Sequence, residues 1–236
     1  MNDRIIISIG GGELKGKTTN KIDEYVATLA KKRAGSQRAY GLFLGTASHD
    51  SMPYFNTFRK TYTSDFDVKA DCALTVYGEM SYDKIRDKFY KADMIYIGGG
   101  DTVFMIDYWK KCGVLDLVID AYRRGVVMCG LSAGAIFWFN KMYTDSACNT
   151  DSPNLYSIHD GLGILDGVCT PHYNERLIDF DKIFLDKCLN SALAIENDCA
   201  VQFVNEKLIG CISSGGKAYI LRNNFGVIEK FELSNI

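Results

Sequence analysis

Short apolar runs alternate with amphipathic segments through the first half of the chain. Short runs of aliphatic residues are typical of buried strands, and apolar residues three and four apart are typical of helices. We predict helices over 20–35, 52–62, 81–90, 103–111 and 114–124. We predict strands over 4–9, 39–44, 73–77, 94–97 and 126–129. This alternation of apolar strands with helices predicts an α/β protein with a parallel sheet covered on both faces.

The pattern changes after Phe139. Residues 145–160 are polar and predict a long loop, and residues 176–189 predict a helix. The remaining short apolar runs, separated by turn-forming residues, predict strands over 168–170, 193–195, 199–204, 208–212, 218–221 and 227–231. Those after residue 192 predict antiparallel strands added to the α/β core. No repeat or linker divides the chain, so we expect one domain over 1–236.

Composition narrows the class of protein. The apolar fraction of 47% and the charged fraction of 24% are ordinary for a soluble globular protein. A net charge of -2 argues against nucleic acid or an anionic membrane as the partner. No apolar run reaches the roughly 18–20 residues that span a membrane, and no basic segment followed by a long apolar one marks a leader. We therefore expect a cytoplasmic protein.

The cysteines predict neither a metal site nor a disulfide framework. None forms C-x-x-C, and none has zinc-ligand spacing with a histidine. Because they are scattered through apolar segments, we expect reduced, buried, structural thiols. The eight residues are Cys72, Cys112, Cys129, Cys148, Cys169, Cys188, Cys199 and Cys211.

The sequence G-L-S-A-G-A at 130–135 carries the clearest chemical signal. It fits the G-x-S-x-G of a nucleophile elbow, in which a serine occupies a sharp turn between a strand and a helix. Gly130 and Gly134 have no Cβ to obstruct the close approach of strand and helix. We predict Ser132 as a nucleophile near a helix N-terminus, where free N–H groups favour a developing oxyanion.

A competing motif follows the first predicted strand. Residues Gly11–Thr18 read G-G-E-L-K-G-K-T and fit the phosphate-binding pattern G-x-x-x-x-G-K-[ST]. Glu13 would place a carboxylate inside that phosphate cradle, and the next helix begins nearer Asn20 than Lys17. Nucleotide binding at this loop is therefore kept as an alternative.

Only three histidines, His49, His159 and His172, are available as the base for Ser132. His172 follows a short apolar run and Pro171, which predicts a strand end where a base can face Ser132. An oxyanion site requires two N–H donors, and we predict those of Ala133 and Gly100.

Several carboxylates are candidates for the group that orients the base. Glu196 and Asp198 follow the predicted strand 193–195, and Asp145 and Asp151 are alternatives from the polar loop. Any of these carboxylates could accept a hydrogen bond from a histidine ring.

Four segments together resemble the peptidase E (aspartyl dipeptidase) family of serine peptidases, to which cyanophycinase is related. They are G-G-G-D-T at 98–102, L-S-A-G-A at 131–135, P-H-Y at 171–173 and A-L-A-I-E-N-D-C-A at 192–200. The resemblance covers nearly the whole chain. It implies a three-layer α/β/α fold with a mostly parallel sheet, like that of class I glutamine amidotransferases. It also implies a Ser-His-Glu triad with Ser132 as nucleophile, His172 as base, Gly100 as oxyanion donor, and no use of ATP.

Two departures from the family pattern bear on function. Aligned without a gap, the family's glutamate falls on Asn197, so the third member is Glu196 after a one-residue shift, Asn197 as a neutral orienter, or Asp198. The family's insertion after the histidine, which carries a substrate-binding arginine, is absent here. We do not transfer that role to Arg176, so a preference for Asp-X peptides stays open.

The sequence therefore predicts a serine-type peptidase that hydrolyses short peptides, dipeptidase-like, through an acyl-enzyme at Ser132. The alternatives are a nucleotide-binding protein using Gly11–Thr18 and a non-catalytic ligand-binding relative. We expect a short peptide as partner, no nucleic acid, no membrane, no cofactor and no metal, and leave a homodimer open.

Overall fold

The computed structural model describes residues 3–78, 80–146 and 156–236. Within these ranges the chain forms thirteen β-strands. They are β1 (Ile5–Ile9), β2 (Tyr40–Leu44), β3 (Lys69–Ala73), β4 (Met94–Ile97), β5 (Val127–Leu131), β6 (Phe139–Thr144), β7 (Ser157–Asp160), β8 (Leu165–Thr170), β9 (Ser191–Ile195), β10 (Cys199–Val204), β11 (Lys207–Ser213), β12 (Ala218–Asn224) and β13 (Val227–Glu232).

The same ranges contain seven α-helices, a 3₁₀ turn at Thr46–Ser48 and a π-helical turn at Thr61–Asp65. The α-helices are α1 (Asn20–Ala34), α2 (Met52–Lys60), α3 (Tyr82–Lys91), α4 (Thr102–Cys112), α5 (Val114–Arg123), α6 (Ala133–Ile136) and α7 (Tyr173–Asp186). None of these described helices has the length and apolar character needed to cross a bilayer.

The strands form two sheets. The first has the order β11-β10-β1-β5-β4-β2-β3, with parallel pairing from β1 through β3 and antiparallel pairing at β10 and β11. The second has the order β13-β12-β9-β8-β6-β7, with parallel pairing among β9, β8 and β6. The described chain is therefore a mixed α/β protein whose strands divide between a seven-stranded and a six-stranded sheet.

Side chains of the seven-stranded sheet alternate between two apolar cores, as the twofold period of a strand requires. Ile7, Phe43 and Tyr96 pack with α1 and α2. Ile6 and Leu42 face the other way and pack with α3, α4 and α5. Helices therefore cover both faces of this sheet, as the sequence pattern predicts. A third core packs α7 against the second sheet.

The predicted strand at 73–77 is wrong, because the strand is β3, at Lys69–Ala73. This strand lies at the edge of its sheet, where its side chains are only partly covered. Its sequence K-A-D-C-A therefore lacks an apolar run. Asp71 accepts hydrogen bonds from Tyr40 and Lys88, which explains a carboxylate in the middle of a strand.

The region after the elbow also differs from the prediction. The elbow helix α6 has only four residues, and β6 follows where no strand was predicted. β7 lies inside the predicted loop 145–160, whose residues 147–155 lie outside the described residues. The C-terminal strands are not one added group, because β10 and β11 extend the first sheet whereas β12 and β13 extend the second.

The described cysteines are all free thiols, and Cys148 lies outside the described residues. Four of the seven are buried, namely Cys129, Cys169, Cys199 and Cys211. The prediction of burial is wrong for Cys188, which is exposed just after α7. Cys72 and Cys112 are half-buried.

Asp23 on α1 gives the fold a pH-dependent stability. Its carboxylate accepts hydrogen bonds from Thr19 Oγ1 at 2.7 Å and from the Tyr62 hydroxyl at 2.9 Å, and burial raises its pKa from 3.8 to about 6. Between these two pKa values the folded protein binds more protons than the unfolded chain. The free energy of unfolding therefore falls as the pH rises through this window.

We expect Asp23→Asn to remove this dependence, because an amide does not titrate. The free energy of unfolding of the wild type should fall by up to about 3 kcal/mol relative to the variant between roughly pH 4 and pH 7, at about 1.36 kcal/mol per pKa unit. Urea denaturation at a series of pH values measures this difference. Parallel pH profiles for the two proteins would contradict the assignment.

Candidate active site

Ser132 occupies a sharp turn between β5 and α6. Its φ of 52° and ψ of -106° are strained for a residue with a side chain, and its N–H donates to the Ile9 carbonyl at 2.9 Å. The flanking glycines are sterically required. A Cβ on Gly130 would lie 1.8 Å from the Gly134 carbonyl oxygen, and a Cβ on Gly134 would lie 2.2 Å from that of Ile97.

His172 faces Ser132 from the turn between β8 and α7. It follows β8, has the left-handed conformation (φ 51°, ψ 37°) and immediately precedes α7. Its backbone N–H donates to the Gly10 carbonyl at 2.9 Å. This backbone geometry brings His172 Nε2 to 2.8 Å from Ser132 Oγ, which is hydrogen-bond distance.

Asn197 contacts the other side of the His172 ring, with its Oδ1 2.6 Å from Nδ1. The Asn197 backbone N–H donates to Asn174 Oδ1 at 2.9 Å, and its side-chain Nδ2 donates to Glu175 Oε1 at 2.5 Å. Gly11 packs against this contact. A Cβ there would lie 2.0 Å from Asn197 Oδ1 and 2.4 Å from His172 Nδ1, so only glycine fits.

The neighbouring carboxylates point elsewhere. Glu196 Oε2 accepts from the Lys217 backbone N–H at 2.9 Å, and Asp198 Oδ1 accepts from Thr18 Oγ1 at 2.5 Å. Of the three consecutive candidates, the structure therefore brings Asn197 to His172 and directs Glu196 and Asp198 away from it.

The predicted loop carboxylates do not reach His172 either. Asp145 lies 3.8 Å from the Arg176 guanidinium, and Asp151 lies outside the described residues. Arg176 itself is buried, donates to the Tyr143 carbonyl at 3.3 Å and lies 4.6 Å from the Tyr156 ring centre. It does not line the cleft at Ser132.

The surroundings of His172 favour its neutral form. Burial lowers the pKa of His172, and the positive charge of Arg176 lowers it further. A carbonyl oxygen can only accept, so Asn197 Oδ1 opposite Nδ1 places the ring proton on Nδ1. The lone pair of Nε2 then faces Ser132 Oγ, as a base for that hydroxyl requires.

Ser132 and His172 open into a cleft of about 460 Å³. Gly100 lines it with a φ of 137°, where a Cβ would lie 2.2 Å from the Ala47 carbonyl oxygen. Ala133 is the first residue of α6, and N–H groups in the first turn of a helix have no acceptor within that helix. The other residues that line the cleft are Gly12, Glu13, Leu14, Lys15, Tyr54, Thr57, Gly99 and Leu131.

In the loop Gly11–Thr18, the lysine and the threonine of the phosphate-binding pattern contact carboxylates. Lys17 Nζ pairs with Asp65 at 2.8 Å, and the Thr18 hydroxyl binds Asp198. The following helix begins at Asn20 rather than at Lys17. The two side chains that would contact a phosphate and its Mg²⁺ are therefore engaged with carboxylates.

The other two histidines lie away from Ser132. His49 packs against Phe104, with ring centres 4.3 Å apart. His159 lies on β7, where its Nε2 is 2.7 Å from Ser157 Oγ. Neither lines the cleft.

Several residues near Ser132 and His172 were not assigned to this site from the sequence. Asn174 and Glu175 contact Asn197, Gly11 packs behind it, and Tyr54 lines the cleft. The position of Asn174 and Glu175 directly after His172, at the start of a helix, was an available signal. Tyr54 lies within the helix predicted over 52–62.

An α/β sheet with a serine on a strand–turn–helix elbow beside a histidine is typical of hydrolases. The family model of peptidase family S51 matches residues 6–210. The chain belongs to this family and is therefore a peptidase.

Individual relatives agree with this assignment. The chain is 32% identical over 223 residues to the uncharacterized peptidase YgaJ of Bacillus subtilis (strain 168), covering 91% of this chain and 90% of the relative. It is 29% identical over 87 residues to peptidase E of Salmonella arizonae, covering 37% of each, which agrees with the resemblance stated above. The crystal structure of a peptidase from an acI-B1 Actinobacterium has the same fold, with a TM-score of 0.74 at 16% identity, covering 99% of this chain and 95% of that one.

The contact between Asn197 and His172 predicts different effects for two neighbouring variants. Asn197→Ala should slow the reaction of Ser132 with a fluorophosphonate probe by about 10²-fold or more, because the ring loses the group that orients it. Glu196→Gln should react at the wild-type rate, because Glu196 contacts the Lys217 backbone instead. The labelling rate measures both, and the reverse order of effects would contradict the geometry.

Proposed function

We propose that this peptidase is of the serine type and hydrolyses short peptides through an acyl-enzyme at Ser132. The observation that carries the proposal is the 2.8 Å contact between Ser132 Oγ and His172 Nε2 at the elbow. A serine hydroxyl is a weak nucleophile unless a base removes its proton, and a neutral histidine at this distance is such a base.

In the proposed acylation step, Ser132 Oγ attacks the carbonyl carbon of the scissile bond while His172 Nε2 takes the hydroxyl proton. The tetrahedral intermediate carries its negative charge on the former carbonyl oxygen. The N–H groups of Gly100 and Ala133 donate to this oxyanion. The C–N bond then breaks, and the His172 proton passes to the leaving amine.

In the proposed deacylation step, water is the nucleophile and Ser132 is the leaving group. His172 takes a proton from water, the resulting hydroxide attacks the ester carbonyl, and the Ser132 oxygen leaves and recovers its proton. Asn197 orients the ring in both steps without taking a proton, since an amide has no titratable group. The site therefore combines Ser132, His172 and Asn197.

The proposed substrate is a short peptide, because the cleft of about 460 Å³ is small and is lined by both polar and apolar residues. For an Asp-X peptide, Lys15 is the cation on the described cleft wall that could meet an aspartate side chain. Arg176 is unsuited to this role, because it is buried against Tyr143 and Tyr156.

The arrangement of helices and sheets supports a layered peptidase fold. We propose one peptidase domain over 1–236 with three α/β/α layers, like class I glutamine amidotransferases. The packing of helices on both faces of the seven-stranded sheet supports it.

Ser132→Ala should abolish fluorophosphonate labelling and lower the turnover of a dipeptide panel at least about 10³-fold, because the variant lacks the oxygen that would form the acyl-enzyme. Ser36→Ala is the matched control, since Ser36 is exposed between α1 and β2. Labelling that persists in Ser132→Ala would overturn the serine mechanism. The nucleotide-binding alternative would be favoured by a different pair of results. The wild type would not be labelled, and ATP would raise its melting temperature but not that of Lys17→Ala.

The acid limb of kcat/KM should follow the protonation of His172. Because the pKa of His172 is lowered from 6.5, kcat/KM should rise through a pKa below 6.5 and be level at neutral pH. Arg176→Gln should move this limb to higher pH, because the variant removes a positive charge that lowers the pKa. A pH–rate profile of each protein, with folding checked by thermal melting, measures the shift. An acid limb at the same pH in both would contradict it.

A further inference from the structure

We propose that Glu175 is a positioning residue that acts through the Asn197 amide to fix the proton of His172 on Nδ1. The inference rests on the proposed function of Ser132 and His172. The contacts form one line: Glu175 Oε1 to Asn197 Nδ2 at 2.5 Å, Asn197 Oδ1 to His172 Nδ1 at 2.6 Å, and His172 Nε2 to Ser132 Oγ at 2.8 Å.

An asparagine beside a histidine can present either of two groups to the ring. A carboxylate offers only acceptors to the ring, whereas an amide offers an oxygen on one side and an NH₂ donor on the other. If the NH₂ of Asn197 faced His172 Nδ1, the ring proton would move to Nε2. The base would then be blocked, and in a Ser-His-Asp protease the corresponding wrong tautomer lowers kcat by about 10⁴-fold.

Glu175 prevents this reversal. Its carboxylate can only accept, so the NH₂ of Asn197 must face Glu175 and the oxygen must face His172. Glu175 lies in the first turn of α7, where a negative charge is favoured by the helix dipole. It follows His172 by three residues, so one helix start carries both the base and the group that sets its tautomer.

The surrounding contacts position the Asn197 side chain between His172 and Glu175. The backbone N–H of Asn197 donates to Asn174 Oδ1, which fixes the start of the side chain. Gly11 packs so closely against Asn197 Oδ1 that a Cβ would lie 2.0 Å away. Glu196 and Asp198 are engaged by Lys217 and Thr18, so neither competes with Glu175.

The first test is Glu175→Gln, which keeps the shape but can present a donor to Asn197. We expect kcat for a cleaved dipeptide to fall about 10- to 10³-fold with KM nearly unchanged, since orientation of the base matters in the transition state. The ¹⁵N NMR signals of His172 should show loss of the Nδ1–H tautomer. Asp179→Asn is the matched control, because it removes an exposed charge from the same helix.

The second test is a rescue. Asn197→Asp in the Glu175→Gln background gives the ring a carboxylate, while the Gln amide donates to that carboxylate. The double variant should recover at least tenfold in kcat over Glu175→Gln alone. In Asn197→Asp alone, the two adjacent carboxylates repel, so kcat should be lower than in the double variant.

The outcomes separate the inference from the proposed function. If the wild type cleaves dipeptides and Glu175→Gln keeps wild-type kcat and the Nδ1–H tautomer, Glu175 merely stabilises the helix start and the inference is overturned. A double variant no better than Glu175→Gln also overturns it. If Ser132 of the wild type does not react with the fluorophosphonate, the proposed function itself fails.

Discussion

Three consecutive backbone carbonyl groups at the end of β1 hold the candidate site together. The Ile9 carbonyl accepts from Ser132 N–H at 2.9 Å, that of Gly10 from His172 N–H at 2.9 Å, and that of Gly11 from Asp198 N–H at 3.0 Å. Their partners follow β5 of the first sheet, β8 of the second, and β9, whose loop joins the two sheets. Because buried peptide groups are rarely left unpaired, this turn specifies how the three segments are positioned relative to one another.

The glycine-rich sequence after β1 follows from that role. A Cβ on Gly10 would lie 2.4 Å from the Glu196 carbonyl oxygen, and a Cβ on Gly11 would overlap the contact between Asn197 and His172. Phosphate-binding loops are rich in glycine because a ligand approaches the backbone closely. Here other parts of the chain make the same close approach, which explains why the two kinds of loop share a sequence pattern.

Local signals were sufficient to predict Ser132 and His172 as neighbours, and the structure brings them together. The glycines of the elbow are required by contacts within a few residues and with β4. The short motif is therefore enough to predict the shape of the turn. The apolar strands of the first sheet were also predicted correctly, whereas the edge strand β3 was not. Its partial exposure permits polar residues, and periodicity then carries little information.

The ungapped alignment with the family falls on Asn197, but local sequence did not decide among Asn197 and its two neighbours. Glu196, Asn197 and Asp198 are consecutive, and the direction of each side chain depends on the turn between β9 and β10. That turn has Asp198 at a φ of 60° and packs Gly216 against the Asn197 carbonyl oxygen, with a Cβ distance of 1.8 Å. The second feature is a contact with the segment between β11 and β12, so composition and spacing within the turn do not determine it.

A neutral third member changes the electrostatics of the proposed mechanism. A carboxylate in contact with His172 would favour the charged imidazolium and raise its pKa. Asn197 keeps that charge one hydrogen bond further away, on Glu175, while burial and Arg176 lower the pKa of His172. A lower pKa makes the base intrinsically weaker but extends its neutral form to lower pH. The proposed base is therefore weaker, but a larger fraction of it is in the active, neutral form at low pH. A hydrogen bond to Asn197 orients the ring.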